Sequence, residues 1–403
     1  EKMHFKDYRS GMLTNGIERA AHRALLYSTG LDREDLGKPM IAVVNSFTEM
    51  VPGHFHLREL ADFVKQGIIE AGGIPREFST IAICDGICQG HKGMSYPLPS
   101  RELIADSAEY MIEAHQFDGM VMLPGCDKIV PGMLMAAMRL NIPAIVIPGG
   151  PMLPGKYKDM EAITLTDMRE LIGRTQTGRL TEDELMKIEE AALPGVGTCS
   201  MLGTANTMSC LAEALGMSLP GCGLAHAVSA KKRRIAKQSG RRIVAMVKED
   251  LTPRKIMTRE ALRNAIRVSM AMGASTNSTL HLPAIAHEAG IHITLDDFDE
   301  LSREIPYLCN IKPSGQYPLS VLEEQGGVPA VMKALERKLD LEQMTVSGKT
   351  VGENLAGVEL VENDVIFSLD HPKKPEGGLA ILHGNLAPKG AVVKQAGVKP
   401  SMH

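Results

Sequence analysis

The stretch FDGMVMLPGCDK, residues 117–128, decides the fold of this 403-residue chain. Its first half is an unbroken apolar run, as in strands that are buried on both faces of a parallel sheet. A Pro-Gly pair ends the predicted strand at residue 123, and Cys126, Asp127 and Lys128 follow in the exit loop. We predict a helix over 132–140 and another strand over 143–147. The segment therefore predicts a strand–loop–helix–strand unit of an α/β protein.

The same order of elements occurs earlier in the chain. Apolar runs and helical periodicity predict two more strands and two more helices. The predicted strands lie within 39–46 and 78–84, and the predicted helices lie at 57–71 and from the N-cap Ser100 to about His115. Together these elements predict a doubly wound, mostly parallel α/β sheet.

Beyond this sheet, residues 160–192 predict a helical hairpin, and a helix over 201–215 follows the glycine loop that holds Cys199. The basic run at 231–234 is typical of a solvated helix face. From residue 377 the pattern changes to short β runs. We therefore predict an α/β domain over 1–374 and the start of a β-rich, barrel-like domain over 375–403, which we expect to continue after His403.

Composition excludes several classes of function. Lys plus Arg number 44 and Asp plus Glu number 48, giving a net charge of -4, and Trp is absent. Without a basic field or an aromatic platform, a nucleic-acid partner is not expected. No apolar run approaches a membrane span, and residues 1–6 do not resemble a signal peptide, so we expect a cytoplasmic protein. The odd count of seven cysteines favours thiols or metal ligands over disulfides.

Reactive side chains follow the predicted strands, and ligands of parallel α/β sheets bind at the carboxyl ends of strands. Cys126 and Cys199 are soft donors suited to iron or zinc, whereas Asp85 and Asp127 are hard donors suited to Mg²⁺ or Mn²⁺. A site with both kinds of donor suggests two different metals. Other roles remain open for these residues. Either Asp can cap a helix, and either Cys can be part of the core. Lys128 can form an ion pair with Asp127 or act as a reactive amine.

At this level of detail the chain resembles the dihydroxy-acid and 6-phosphogluconate dehydratase family of iron–sulfur enzymes, nearly end to end. The matching motifs are Asn45-Ser46, Pro52-Gly53-His54, Asp85-Gly86-Ile87, Gly90-His91, the run at 99–106, the run at 124–128, Cys199 with 203–206, 275–277 and Gly384-Asn385. The runs at 99–107 and 140–145 look most like the branch that acts in valine, leucine and isoleucine synthesis.

The resemblance implies cofactors and ligands. It implies an iron–sulfur cluster, [2Fe–2S] or [4Fe–4S], held by Cys126 and Cys199, and a Mg²⁺ bound by Asp85, Asp127 and a carbamylated Lys128. A serine base and a Mg²⁺-binding glutamate are expected in the C-terminal domain, after His403. From the residues themselves, Ser275, Thr276 and Asn277 are candidate contacts to substrate hydroxyls or carboxylate, with helix capping as an equal alternative.

The chain departs from the family at a few positions. Many members carry a third cluster cysteine where this chain has Gly53, which leaves the cluster type open. Cys88, four residues after Cys84, can in principle compensate for the missing thiol. Lys92 stands where many members have Glu. The loop histidines His54, His56 and His91 have candidate site roles, although hydrogen-bonding fixtures are more common; three further cysteines, Cys210, Cys222 and Cys309, are predicted to be buried.

The resemblance implies a hydro-lyase that converts a 2,3-dihydroxy carboxylic acid of the dihydroxyisovalerate type into a 2-keto acid. It further implies a homodimer or homotetramer. The first alternative is the same chemistry on an aldonate or phosphogluconate. A non-catalytic iron–sulfur sensor is the second, and a structural zinc protein, disfavoured by the lack of paired C-x-x-C motifs, is the third.

Overall fold

The computed structural model of the chain describes residues 8–361 and 363–398. Residues 1–6, and the end of the second predicted domain at 399–403, lie outside the described residues. Within the described ranges, no helix is both long and apolar enough to cross a membrane.

Helices dominate the described chain, and the strands form three separate sheets. The strands are β1 Met40–Asn45, β2 Ile74–Ser79, β3 Gly119–Leu123, β4 Ala144–Val146, β5 Gly155–Tyr157, β6 Met160–Ile163, β7 Ala380–Gly384 and β8 Ala387–Val393. The α-helices are α1 Gly11–Thr14, α2 Ala20–Ser28, α3 Leu57–Glu70, α4 Asp85–Cys88, α5 Pro97–Ala114, α6 Ile129–Leu140, α7 Leu165–Gln176, α8 Glu182–Ala192, α9 Thr204–Ala214, α10 Ala230–Glu249, α11 Pro253–Ile256, α12 Arg259–Met272, α13 Ser278–His287, α14 Leu295–Glu304, α15 Leu319–Glu324, α16 Gly327–Ala334 and α17 Val351–Leu355.

The main sheet has four parallel strands in the order β2-β1-β3-β4. Ile41 in the central strand β1 pairs with Pro75 on one side and Gly119 on the other. Every residue of β1 and β3 is buried, as the unbroken apolar runs require. The predicted α/β class with a parallel sheet is confirmed.

Helices cover this sheet on both faces. With right-handed crossovers, the step from β1 to β2 places α3 on one face, and the two later steps place α5 and α6 on the other. The long helix α10 packs along α3. This contact is close because Gly67 and Gly240 leave no side chain between the helices: a Cβ at either position would overlap a carbonyl oxygen of the other helix.

Near the end of the described chain, β7 and β8 form an antiparallel hairpin. Leu382 pairs with Ala391, and a bulge separates this pair from Gly384 and Ala387. The predicted change to short β runs is therefore observed. No barrel is formed within residues 363–398.

Three predicted element boundaries were wrong. Residues 160–163, at the start of the predicted helical hairpin, form strand β6, and the helices of the hairpin are α7 and α8. The second strand ends at Ser79 and not at Cys84, which instead precedes α4. Helix α5 begins at Pro97, so Ser100 lies inside it and donates its hydroxyl to the Pro97 carbonyl at 2.6 Å. Proline is well suited to the first turn of a helix, and the N-cap is Tyr96, four residues before the predicted Ser100.

The basic run at 231–234 is only partly solvated. Lys232 is fully buried in α10, and its ammonium group donates to the carbonyls of Pro148 and Cys222 at 2.8 and 2.6 Å. Burial lowers the pKa of Lys232. The amphipathic period of α10 turns this one lysine inward, where it connects the loop after β4 to the loop that precedes the helix.

Candidate active site at the carboxyl edge of the sheet

The loops after β2 and β3, together with the N-terminal end of α9, surround a cavity of about 410 Å³. Its lining combines charged or polar side chains with an apolar wall. The lining residues are Asp85, Gly86, Gln89, Met94, Pro97, Leu98, Asp127, Lys128, Leu165, Arg169, Cys199, Met201, Gly203, Thr204 and Asn277. The cavity thus lies at the edge of the sheet where parallel α/β proteins bind ligands.

Cys126 is held in place by the buried His54. The Cys126 backbone N–H donates to His54 Nε2 at 2.8 Å, so this nitrogen carries no proton. The opposite nitrogen, Nδ1, is therefore protonated and donates to the Ser46 carbonyl at 2.8 Å. Burial lowers the pKa of His54 to about 4, which keeps the ring neutral. His54 is accordingly a hydrogen-bonding fixture that orients the loop after β3.

Gly53 lies against the same thiol. A Cβ at this position would be 2.8 Å from Cys126 Sγ and 3.1 Å from Thr198 Cγ2. A Cβ on Gly125 would in turn be 2.5 Å from the Gly53 carbonyl oxygen. A side chain at residue 125 is therefore excluded by backbone, whereas one at residue 53 would require the Cys126 thiol to move.

Three thiols are grouped beside the cavity. Cys84 and Cys126 share a side-chain hydrogen bond, which lowers the pKa of Cys84 to about 7 and raises that of Cys126 well above its usual range. Burial raises the pKa of Cys199 to about 12. Charge on Cys84 also raises the pKa of both Cys126 and Cys199, and charge on Cys199 raises that of Cys126. The remaining buried cysteines, Cys210, Cys222 and Cys309, are in the core, as predicted.

Asp85 and Lys128 form an ion pair with 2.8 Å between Nζ and Oδ2. Lys128 is thus paired with Asp85, whereas the residues alone suggested Asp127 as its partner. Burial, and next the Asp85 carboxylate, raises the pKa of Asp127 to about 6. The second Asp85 oxygen, Oδ1, is buried and finds no hydrogen-bond partner among the described residues. A buried carboxylate oxygen without a hydrogen-bond partner is suited to be a ligand of a cation.

The three candidate substrate contacts are placed differently. Asn277 lines the cavity and donates from Nδ2 to Thr204 Oγ1 at 2.7 Å. Ser275 hydrogen-bonds to the same Thr204 hydroxyl at 2.8 Å, and the Thr276 carbonyl accepts from Thr279. Neither Ser275 nor Thr276 lines the cavity. Asn277 precedes α13, but its side chain makes no cap hydrogen bond to the described residues.

Sequence reasoning missed Arg169 and Gln89, which line the cavity and contact each other. Arg169 is on α7, in a segment without a strand-end motif, so no local pattern points to it. Gln89 follows α4 and lies only four residues after Asp85. Its nearness to the Asp-Gly motif is the one signal that could have identified it.

The donor set fits a cluster better than a single ion. In the described chain, no three His, Cys, Asp or Glu side chains converge closely enough to hold one metal ion. A cluster spreads its thiolates over several irons and so tolerates wider spacing. The grouped thiols and the unpartnered Asp85 oxygen fit a soft cluster beside a hard divalent cation.

Comparison with known proteins identifies the family of this chain. The profile described as Dihydroxy-acid/6-phosphogluconate dehydratase N-terminal matches residues 38–354, and the C-terminal profile of the same family matches 364–403. The chain is 55% identical over 398 residues to the dihydroxy-acid dehydratase of Methanosarcina barkeri, covering 98% of this chain and 72% of the relative. Identity to dihydroxy-acid dehydratase 1 of Methanosarcina acetivorans is 56% with the same coverage. To the enzyme of Halothermothrix orenii it is 52% over 395 residues, 98% of this chain and 72% of the relative. The chain therefore belongs to the dihydroxy-acid/6-phosphogluconate dehydratase family.

Proposed function

We propose that the protein is a hydro-lyase that converts a 2,3-dihydroxy carboxylic acid of the dihydroxyisovalerate type into a 2-keto acid. The observation that carries this proposal is the meeting of soft thiols and hard oxygen donors at one cavity. Dehydration of such an acid expels a poor leaving group and removes a proton from the neighbouring carbon. Two metal centres of different softness suit these two tasks.

In this proposal Cys126 and Cys199 hold an iron–sulfur cluster, and Asp85, Asp127 and Lys128 hold Mg²⁺. Lys128 becomes a ligand through carbamylation: its neutral amine adds carbon dioxide, a nitrogen–carbon bond forms, and one proton leaves. The modified side chain is anionic, so it no longer pairs with Asp85. Instead, both anionic groups bind the same cation. The unpartnered Asp85 Oδ1 supports a cation at this place.

When bound, the cluster supplies Lewis acidity toward the 3-hydroxyl group, and Mg²⁺ neutralises charge on the carboxylate and 2-hydroxyl. The chain's own residues position the substrate. Asn277 and Thr204 present polar groups to it, and the Arg169 guanidinium at the cavity attracts its negative charge. Of the three residues predicted to bind substrate, Ser275 and Thr276 act indirectly. Ser275 hydrogen-bonds to Thr204, and the Thr276 carbonyl accepts a hydrogen bond at the start of α13.

The apolar wall favours a branched aliphatic substrate over a polyol. Met94, Leu98, Leu165 and Met201 all line the cavity. A hydroxyl-rich sugar acid would leave polar groups unpaired against this wall, which is costly. We therefore assign the protein to branched-chain amino acid biosynthesis. The proposed cytoplasmic location and the homodimer or homotetramer rest on the resemblance to the family and not on the cavity.

The proposal also assigns roles to two domains. Residues 1–374 carry the proposed cluster and Mg²⁺ ligands, and the β-rich domain that begins at 375 contains the β7–β8 hairpin.

The test is anaerobic purification of the full-length protein, followed by iron and sulfide analysis. Formation of 2-keto acid is then assayed in parallel on 2,3-dihydroxyisovalerate and gluconate. Iron, sulfide and product from the first substrate are expected. Preference for gluconate would transfer the protein to the sugar-acid branch, and a cluster without either product would favour a sensor.

A further inference from the structure

We propose that Cys84 is the third protein ligand of the iron–sulfur cluster. This inference rests on the proposed cofactor and names a residue of this chain that completes its binding. In the proposed function Cys126 and Cys199 are ligands of the cluster, and the Cys84 thiol has no role.

Cys84 is placed by the backbone directly beside the proposed ligands. It is the residue before α4, has an extended backbone with φ −92° and ψ 108°, and immediately precedes Asp85. The next residue, Asp85, is ion-paired at 2.8 Å with Lys128, which lies two residues after Cys126. The Cys84 thiol is accordingly close enough to interact with the thiols of Cys126 and Cys199. Three loops from separate parts of the chain therefore bring three thiols to one place.

Residue 53 supplies no thiol in this chain. A Cβ there would lie 2.8 Å from Cys126 Sγ, so this is the place beside Cys126 where many family members carry a third cluster cysteine, and Gly53 leaves it without a donor. A further protein thiol must therefore come from another segment, and the loop that follows β2 carries cysteines. Cys84 is the residue of that loop whose thiol already contacts Cys126.

A third thiol fits the number of ligands that an iron–sulfur cluster takes. Both [2Fe–2S] and [4Fe–4S] clusters are commonly held by four cysteines, one at each terminal position. Two cysteines would leave two positions to solvent, whereas three leave a single one. One open position next to the cavity is what a Lewis-acid role needs, and three protein bonds hold the cluster in place.

The experiment compares Cys84→Ser with Cys88→Ser in the full-length protein, purified anaerobically. Cys88 is the matched control because it lies four residues later, at the end of α4, and is partly exposed like Cys84. Iron and sulfide are quantified, and the reduced cluster is examined by electron paramagnetic resonance. Mutation of a residue that only hydrogen-bonds to a metal ligand already weakens metal binding about 10-fold. Loss of a ligand should have at least this effect, so Cys84→Ser should bind iron at least that much more weakly or show a changed spectrum. Cys88→Ser should match the wild type.

A second measurement does not depend on the folding of a variant. The wild-type protein is alkylated with iodoacetamide before and after removal of iron by a chelator, and each cysteine is located by mass spectrometry. Cys84 should be protected only while iron is bound, and Cys88 should react equally in both states.

The outcomes separate the inference from the proposed function. Unchanged iron, spectrum and labelling at Cys84 in a protein that holds a cluster would overturn the inference alone. A wild-type protein that binds no iron or sulfide would overturn the proposed cofactor and this inference together.

Discussion

At the scale of single residues, the proposal assigns neighbouring residues to different metals, with Cys126 as a ligand of the cluster and Asp127 as a ligand of Mg²⁺. Asp127→Asn removes one hard ligand but keeps the shape of the loop. We expect catalytic activity to be lost and the iron content to stay near wild type, because the thiols are untouched. Keto-acid assays and iron analysis check this. Asp62→Asn, on the exposed side of α3, is the isosteric control and should keep full activity. Normal turnover of Asp127→Asn would exclude Asp127 as an essential ligand.

Glu213 predicts a pH effect on stability that is separate from the metal ligands. It is buried in α9 and accepts hydrogen bonds from the backbone of Gly221 and Gly223 at 2.6 and 2.7 Å. Burial raises its pKa from 4.5 to about 7. The folded state therefore binds more protons than the unfolded state between these values, and the free energy of unfolding should fall by up to about 3 kcal/mol as pH rises through this window.

Urea unfolding of the wild type and of Glu213→Gln between pH 4.5 and 7.5 measures this slope. The Gln variant is destabilised at all pH values because its amide nitrogen faces a backbone N–H, but its stability should depend less on pH in this range. Glu182→Gln, in the exposed first turn of α8, should retain the wild-type slope. Equal slopes in all three proteins would show that Glu213 does not titrate in the folded state as inferred.

At the scale of elements, the α3–α10 contact predicts opposite effects for the same substitution. Gly67→Ala or Gly240→Ala places a methyl group against the facing backbone and should destabilise the fold by about 1–3 kcal/mol or more. Gly173→Ala is the control, since nothing lies within 4 Å of its Cβ position in α7. There the better helix propensity of Ala should stabilise by about 0.5–1 kcal/mol. Thermal melting compares the three variants, and a neutral Gly67→Ala would contradict the close contact.

Patterns local to one strand and its exit loop were sufficient for much of the fold. The run at 117–128 correctly predicts β3 and the loop with Asp127 and Lys128, because a strand buried on both faces must be apolar and must end where polar residues begin. Arg169 could not be found in this way, because only tertiary packing brings α7 to the cavity. The same is true of the burial of Lys232, which depends on two loops that supply carbonyl acceptors.

At the scale of the whole molecule, the proposed cluster connects parts of the chain that are far apart in sequence. Cys84 follows β2, Cys126 follows β3, and Cys199 precedes α9. A group that binds three loops of the folded state but not the unfolded chain stabilises the fold by mass action. The cluster should therefore act as a structural cross-link as well as a catalytic group.

Removal of the cluster by anaerobic chelation should lower the melting temperature. At a free ligand concentration about 1,000 times the dissociation constant, the stabilisation lost is about 4 kcal/mol. Calorimetry of loaded and stripped wild-type protein measures this difference. Cys126→Ser should melt at the same temperature before and after chelation, because the variant cannot hold the cluster. If loaded and stripped wild-type protein melted at the same temperature, the three loops would be held by protein contacts alone. The hydrogen bond from Cys126 to His54 and the Asp85–Lys128 ion pair would then account for the order of the site.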